Sequence, residues 1–176
     1  IPITKESVML GKQLFFDKRL SKNQTVSCAT CHHPEKAFTD GKKVSKGLHQ
    51  RTTMRNAPTL YNVGFHPYFM LDGGVKTLEM QLLVPLLDTS EMGNDLPELI
   101  NRLSKVTLYD SLSRIAFQRP FDIFVLTRSI AHFQRSLISQ NSPFDYWWYD
   151  NDANAITKDA RNGWKLFDEV LNCTNC

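Results

Sequence analysis

The sequence predicts a mainly α-helical chain on three observations. Apolar residues recur at helical intervals from Asp122 to Ser139, several segments open with helix-capping residues, and strand-like alternation is sparse. In the longest of these segments Ile123, Leu126, Ile130, Phe133 and Leu137 fall three or four apart, the stripe of a helix packed on one face. His132 lies beside that stripe rather than within it.

The other elements follow in chain order. Thr4 to Phe16 reads as a short helix, with Val8, Met9 and Leu14 to Phe16 forming its apolar face, and Asp17 to Thr25 reads as loop. Ala37 to Gly74 carries five glycines and the prolines Pro58 and Pro67, which predicts a long loop wrapped around something rather than regular helices. Leu78 to Leu87 is helical in pattern, with Thr77 as its cap and Pro85 disturbing its last turn. Asp95 caps a helix whose first turn accommodates Pro97. Thr107 and Asp110 have capping-box spacing for a helix through Ala116, and Thr157 to Leu171 forms the last helix, leading into Cys173.

At 176 residues the chain is long enough for one domain plus a fragment of another. Its 41% hydrophobic and 22% charged residues exclude a disordered or fibrous chain. The net charge of +3 is spread along the sequence, so nucleic-acid binding gains no support. No apolar run is long enough to span a bilayer, and the opening IPITKESVML lacks a signal-peptide layout, which leads to the expectation of a mature soluble chain.

The four cysteines form two Cys-x-x-Cys pairs, Cys28/Cys31 and Cys173/Cys176. Cys28-Ala-Thr-Cys31-His32 has the spacing for covalent haem attachment: two thiols reach the porphyrin vinyl groups as thioethers, and the adjacent imidazole ligates iron. A redox dithiol needs no histidine there, and ordinary zinc modules hold their cysteine pairs closer together in sequence. Cys173-Thr-Asn-Cys176 stops where a second such motif would need its histidine, so the chain is expected to be cut inside it. His33, His49, His66 and His132 read first as surface or structural histidines, with His49 worth testing because its loop could cover the open haem face.

Several longer stretches carry a more specific signal. LGKQLFFDKRLS, SCATCHHPEKAFTDG, RNAPTLYNVGF, DGG, TLEMQ, a Pro-x-x-Asp-x-x-Glu-Met-Gly segment and SLISQNSPFD together resemble the bacterial diheme cytochrome c peroxidases, whose superfamily includes the methylamine dehydrogenase maturation enzyme. The resemblance covers nearly the whole chain in the family's order. It implies an all-α, cytochrome c-like haem domain with long loops over residues 1–160, and the start of a second, electron-transfer haem domain at 161–176. It further implies two c-type haems in the complete protein, calcium between the domains and a periplasmic location. The reaction implied is reduction of hydrogen peroxide to water, with a small cytochrome c or copper protein as donor.

Carried over by position, the resemblance makes Gln81 and Glu91 the distal catalytic pair, makes His49 a candidate distal ligand, and gives Asn56 a share of the calcium site. A carboxylate beside iron-bound peroxide can take a proton from one oxygen and deliver it to the other, while an amide orients the substrate. Where the family commonly has a tryptophan before Asp-Gly, this chain has Leu71, which puts an electron route through that position in doubt, with Tyr68 and Phe69 as the nearby rings that could compensate. Tyr146, Trp147, Trp148 and Tyr149 are candidates for an interdomain or homodimer surface, with core packing as the alternative. Two other functions remain open: a non-catalytic electron carrier, and an oxidase acting on a partner protein's side chain.

Overall fold

The computed structural model describes residues 2–175. The chain forms two compact units, Ile1–Ile138 and Ser139–Cys176. Each is helical, and among the described residues β-pairing is limited to the isolated bridges His33 with Thr39, Lys46 with Thr52, and Phe69 with Val75.

The first unit is built on two helices, α1 (Lys5–Phe16) and α6 (Ile123–Arg135). Thr4 starts α1 by accepting from the Ser7 amide at 3.2 Å, and Asp122 starts α6 by accepting from the Val125 amide at 2.9 Å. The two helices meet at Gly11. A Cβ there would lie 1.9 Å from the Ser129 carbonyl oxygen and 2.9 Å from Phe133 Cβ, so only glycine lets the backbones approach this closely. Around the contact, Leu10, Leu14, Phe15, Val125, Leu126 and Ile130 are completely buried. Phe15 and Phe133 pack with ring centroids 5.1 Å apart. His132, which the stripe leaves to one side, is 3% exposed, and its Nδ1 lies 2.8 Å from Ser7 Oγ of α1.

Between these helices run α2 (Leu78–Gln81), α3 (Leu83–Leu87), α4 (Leu96–Leu103) and α5 (Thr107–Phe117). Thr77 and Asp95 cap α2 and α4 as expected, accepting from Met80 and Glu98 amides at 3.2 and 3.1 Å. Thr107 does not cap α5. It is the first helical residue, and Asp110 instead pairs with Arg114 at 2.7 Å and accepts from the Phe121 amide at 3.3 Å. Asp110 is three residues after Thr107 and four before Arg114, and the ion pair, one helical turn on, takes its carboxylate. α6 stops at Arg135, short of the expected Ser139, and the Ser136 hydroxyl turns back onto the Phe133 carbonyl at 2.7 Å. Arg135 ties α6 to α2 through a bidentate pair with Glu79, at 2.7 and 3.2 Å.

The second unit holds α7 (Pro143–Trp148) and α8 (Lys158–Lys165), the latter continuing as a wider turn over Leu166–Val170. Phe144, Trp147, Trp148 and Trp164 form an aromatic cluster with centroid separations of 5.0 to 6.3 Å, and none of them is buried. Tyr146, Trp148 and Tyr149 remain exposed.

Gly11→Ala is expected to destabilise the protein by about 3 kcal/mol, because the new methyl meets backbone rather than a movable side chain. Thermal unfolding should show a Tm lower by about 6–12 °C. Acid should act on two carboxylates. Burial works to raise Asp17, but hydrogen bonds from Arg19 and Tyr109 outweigh it and hold the carboxyl below its ordinary value. Glu79 behaves likewise, burial being overcome by Arg135. Both groups bind protons less readily folded than unfolded, so their stabilisation is present at neutral pH and is lost as pH falls below about 4. Urea unfolding midpoints should drop over that window, and less steeply in Glu79→Gln.

Candidate haem-binding site

The candidate site starts at the C-terminal end of α1. A short 3-10 turn, Cys28–Thr30, packs against that helix and places Cys28, Cys31 and His32 on one bend. The Ser27 amide donates to Thr30 Oγ1 at 3.0 Å, and the Cys31 and His32 amides both return to the Cys28 carbonyl, at 3.2 and 2.9 Å. The approach is fixed as well. Ser21 Oγ accepts from the Thr25 and Val26 amides, while Arg102 of α4 and Asn94 hold the carbonyls of residues 19 to 21.

His32 is oriented through one ring nitrogen. Its Nδ1 lies 2.7 Å from the Phe38 carbonyl, and its ring lies 6.3 Å from that of Phe15. Ala37 and Phe38 adopt left-handed backbone, φ 54° and 58°, which turns that carbonyl back toward His32. Thr59 holds the bend by donating to the Ala37 carbonyl at 2.6 Å. Burial lowers the imidazole pKa, partly offset by the Phe38 and Pro58 carbonyls, so the ring is neutral at physiological pH. An imidazole held by Nδ1 offers Nε2 to a metal, the arrangement that fixes tautomer and direction in histidine ligands.

Burial pushes the Cys28 thiol up to about 12 and raises Cys31 as well. A redox dithiol needs a cysteine with a depressed pKa, so this pair is poorly suited to disulfide exchange. Two thiols and an oriented neutral imidazole on one bend fit a covalently held haem. Among the described residues no group of three or more His, Cys, Asp or Glu side chains could hold a metal ion.

Glu91 is brought to this bend, its charge adding to the rise at both thiols. It sits on a tight turn after α3, where the Glu91, Met92 and Gly93 amides all donate to the Asp88 carbonyl at 3.0, 3.1 and 2.8 Å. The loop bearing His49 interlocks with this turn. The Leu48 amide donates to the Glu91 carbonyl at 2.8 Å, a Cβ on Gly47 would lie 2.2 Å from the Ser90 carbonyl oxygen, and one on Gly93 would lie 2.8 Å from Leu48 Cδ2. Burial raises the Glu91 carboxyl, and the Asp88 charge raises it further. Asp88 itself is held low by Ser90, whose hydroxyl and amide both donate to Oδ1 at 2.6 Å. The two neighbouring carboxyls are thus shifted in opposite directions, Asp88 down and Glu91 up.

The remaining expected residues lie elsewhere. Gln81 ends α2, and its Nε2 donates to Met70 Sδ at 3.8 Å. His49 adopts φ 54° in the interlocked loop. Asn56 is exposed, and one amide oxygen does not make a site for calcium, which takes about six to eight oxygen ligands. Leu71 is 82% exposed at the tip of a hairpin closed by the Phe69 and Val75 bridge. In the second unit Cys173 is exposed on a short turn, while Cys176 lies outside the described residues. A concavity of about 730 Å³ between α2, α3 and α6 is lined by none of the motif residues.

Asp88 and the Phe38 carbonyl were missed from sequence. Asp88 stood in the quoted Pro-x-x-Asp-x-x-Glu segment, three residues before Glu91, and that spacing was the available signal. Nothing in the side chain of Phe38 announces that its backbone oxygen orients His32.

The helical frame and the Cys-x-x-Cys-His bend define a protein of the c-type cytochrome class. The chain belongs to the di-haem cytochrome c peroxidase family, whose model matches residues 5–154. It is 38% identical to methylamine utilization protein MauG of Methylorubrum extorquens, over 99% of this chain and 50% of that protein. It is 34% identical to cytochrome c peroxidase Ccp of Escherichia coli, over 100% of this chain and 38% of that one. A solved MauG-like protein associated with microbial copper homeostasis superposes with a TM-score of 0.89 at 34% identity, covering 99% of this chain and 52% of the other. The chain thus spans about half the length of these relatives or less.

Gly47→Ala is expected to cost about 2 kcal/mol, since its methyl would meet the Ser90 carbonyl and the Glu91 backbone. Amide hydrogen exchange should show lost protection at Leu48, whose partner is the Glu91 carbonyl.

Proposed function

We propose that the chain is the peroxide-reducing part of a diheme cytochrome c peroxidase. In this reading residues 1–160 serve the reacting haem and 161–176 begin the electron-transfer haem domain. Cys28 and Cys31 hold the first haem as thioethers, His32 is its axial ligand, and Cys173 and Cys176 belong to the second. When bound, the haem supplies the redox chemistry that reduces hydrogen peroxide to water.

The observation that carries the reading is the raised, half-buried carboxyl of Glu91 beside the attachment bend, with ionised Asp88 behind it. A carboxyl raised toward neutrality takes a proton from one peroxide oxygen and returns it to the other more readily than an ordinary surface acid. Gln81 orients the substrate through its amide. His49, exposed on the interlocked loop, is the candidate distal ligand by family resemblance. Asn56 would contribute to calcium only with ligands from other parts of the protein.

An electron carrier needs no proton-handling carboxyl, which favours the enzyme. Oxidation of a partner's side chain is less well served, because Leu71 stands where the family commonly has a tryptophan and leaves the exposed Tyr68 as the nearby ring for such a route. A small cytochrome or copper protein as donor and a periplasmic location complete the proposal. Among the described residues no helix is long and apolar enough to cross a membrane.

The test is peroxide turnover by haem-loaded protein with a reduced small cytochrome as donor. Glu91→Gln should lower turnover by roughly a hundred- to ten thousand-fold while leaving covalent haem content, read by intact mass, unchanged. Equal turnover in the variant would remove Glu91 from the reaction.

A further inference from the structure

Met70 is the residue that no step above uses, and it holds the side chain that the reaction depends on. Its Sδ accepts from Gln81 Nε2 at 3.8 Å, a weak bond to a soft acceptor. The backbone that carries this side chain is held in place. Met70 adopts φ 66°, unusual for a side chain of this size, and its carbonyl accepts from the Gly73 amide at 3.0 Å. The Phe69 and Val75 backbones close the hairpin at 2.7 and 3.3 Å, and Arg55 pins its tip to Asp72 at 2.6 Å.

We infer that Met70 is a peroxide-oxidisable positioning residue for Gln81, a sulfur switch that weakens peroxide binding once it is oxidised. The inference rests on the peroxidase reading, in which Gln81 orients hydrogen peroxide. The amide has two N–H donors, and with one on sulfur the other is free for substrate, which places peroxide beside the thioether. A sulfur lone pair attacks one peroxide oxygen and the O–O bond breaks. The new S–O bond leaves methionine sulfoxide, and the proton of the attacked oxygen passes to the second, which departs as water. Sulfur loses two electrons and peroxide gains two, so no other reactant is needed. A sulfoxide oxygen accepts a hydrogen bond far better than a thioether, so the product holds Gln81 to the hairpin and competes with substrate. Reduction by a methionine sulfoxide reductase would reset it.

Met9 provides a control, because it is 42% exposed against 41% for Met70, while Met54 is 92% exposed. Bulk oxidation follows exposure and should modify Met54 first and the other two equally. The experiment treats the haem-loaded protein with stoichiometric hydrogen peroxide without electron donor, then measures the 16-dalton gain at each methionine by peptide mass analysis.

Met70 is expected to oxidise ahead of both controls, and Gln81→Ala should return its rate to that of Met9. Pretreated protein should show a KM for peroxide raised about three- to tenfold, and Met70→Leu should abolish that rise. Protein that turns over peroxide but oxidises Met70 no faster than Met9 would overturn the inference and leave the peroxidase reading intact. So would an unchanged Met70 rate in Gln81→Ala. Protein with no turnover whose Met70 oxidises at the Met9 rate would overturn both.

Discussion

The site depends on the contact between Gly11 of α1 and the Ser129 backbone of α6. The missing side chain lets two helices from opposite ends of the first unit touch at their backbones. That approach buries Leu10, Leu14 and Phe15, and it brings Phe133 against Phe15. Phe15 in turn lies beside His32 and against Phe38, whose carbonyl receives the imidazole. One steric condition at a helix crossing is thereby transmitted, through two aromatic rings, to the direction of the expected iron ligand.

A second set of constraints brings Glu91 to the same place. Asn94 and Arg102 grip the carbonyls of residues 19 to 21, and the Lys22 amide donates to the Met92 carbonyl at 2.9 Å. The strand of chain leading into Cys28 is therefore tied to the turn that contains Glu91. Asp88 then acts at short range, ionised by its bonds to Ser90 and holding its neighbour toward the neutral form. Placement and proton affinity come from different interactions, so each can be altered without the other.

The parts of the fold legible in sequence were those governed by local chemistry. Thr77 and Asp95 each cap the helix they were expected to cap, because a short side-chain oxygen before an apolar run has few other uses. Thr107 failed because Asp110 had a second partner within one helical turn, a competition that spacing cannot rank. The bend at Cys28, Cys31 and His32 could be singled out in sequence because three chemically distinctive residues fall within five positions. The Phe38 carbonyl could not, since every residue has one and only the left-handed backbone at 37 and 38 selects it. Distance in the chain hid the rest: nothing local in Gly47 shows that it must fit against Ser90.

The interlock of Gly47 with the Ser90–Glu91 backbone, and of Gly93 with Leu48, has a further consequence for protein engineering. Neither segment has a surface that makes sense without the other, so the two behave as a single cassette contributed by distant stretches of sequence. A chimera that exchanges only the histidine-bearing loop, or only the acidic turn, would inherit mismatched halves. Transplanting 47–51 together with 88–93 is the smallest exchange that keeps the fit.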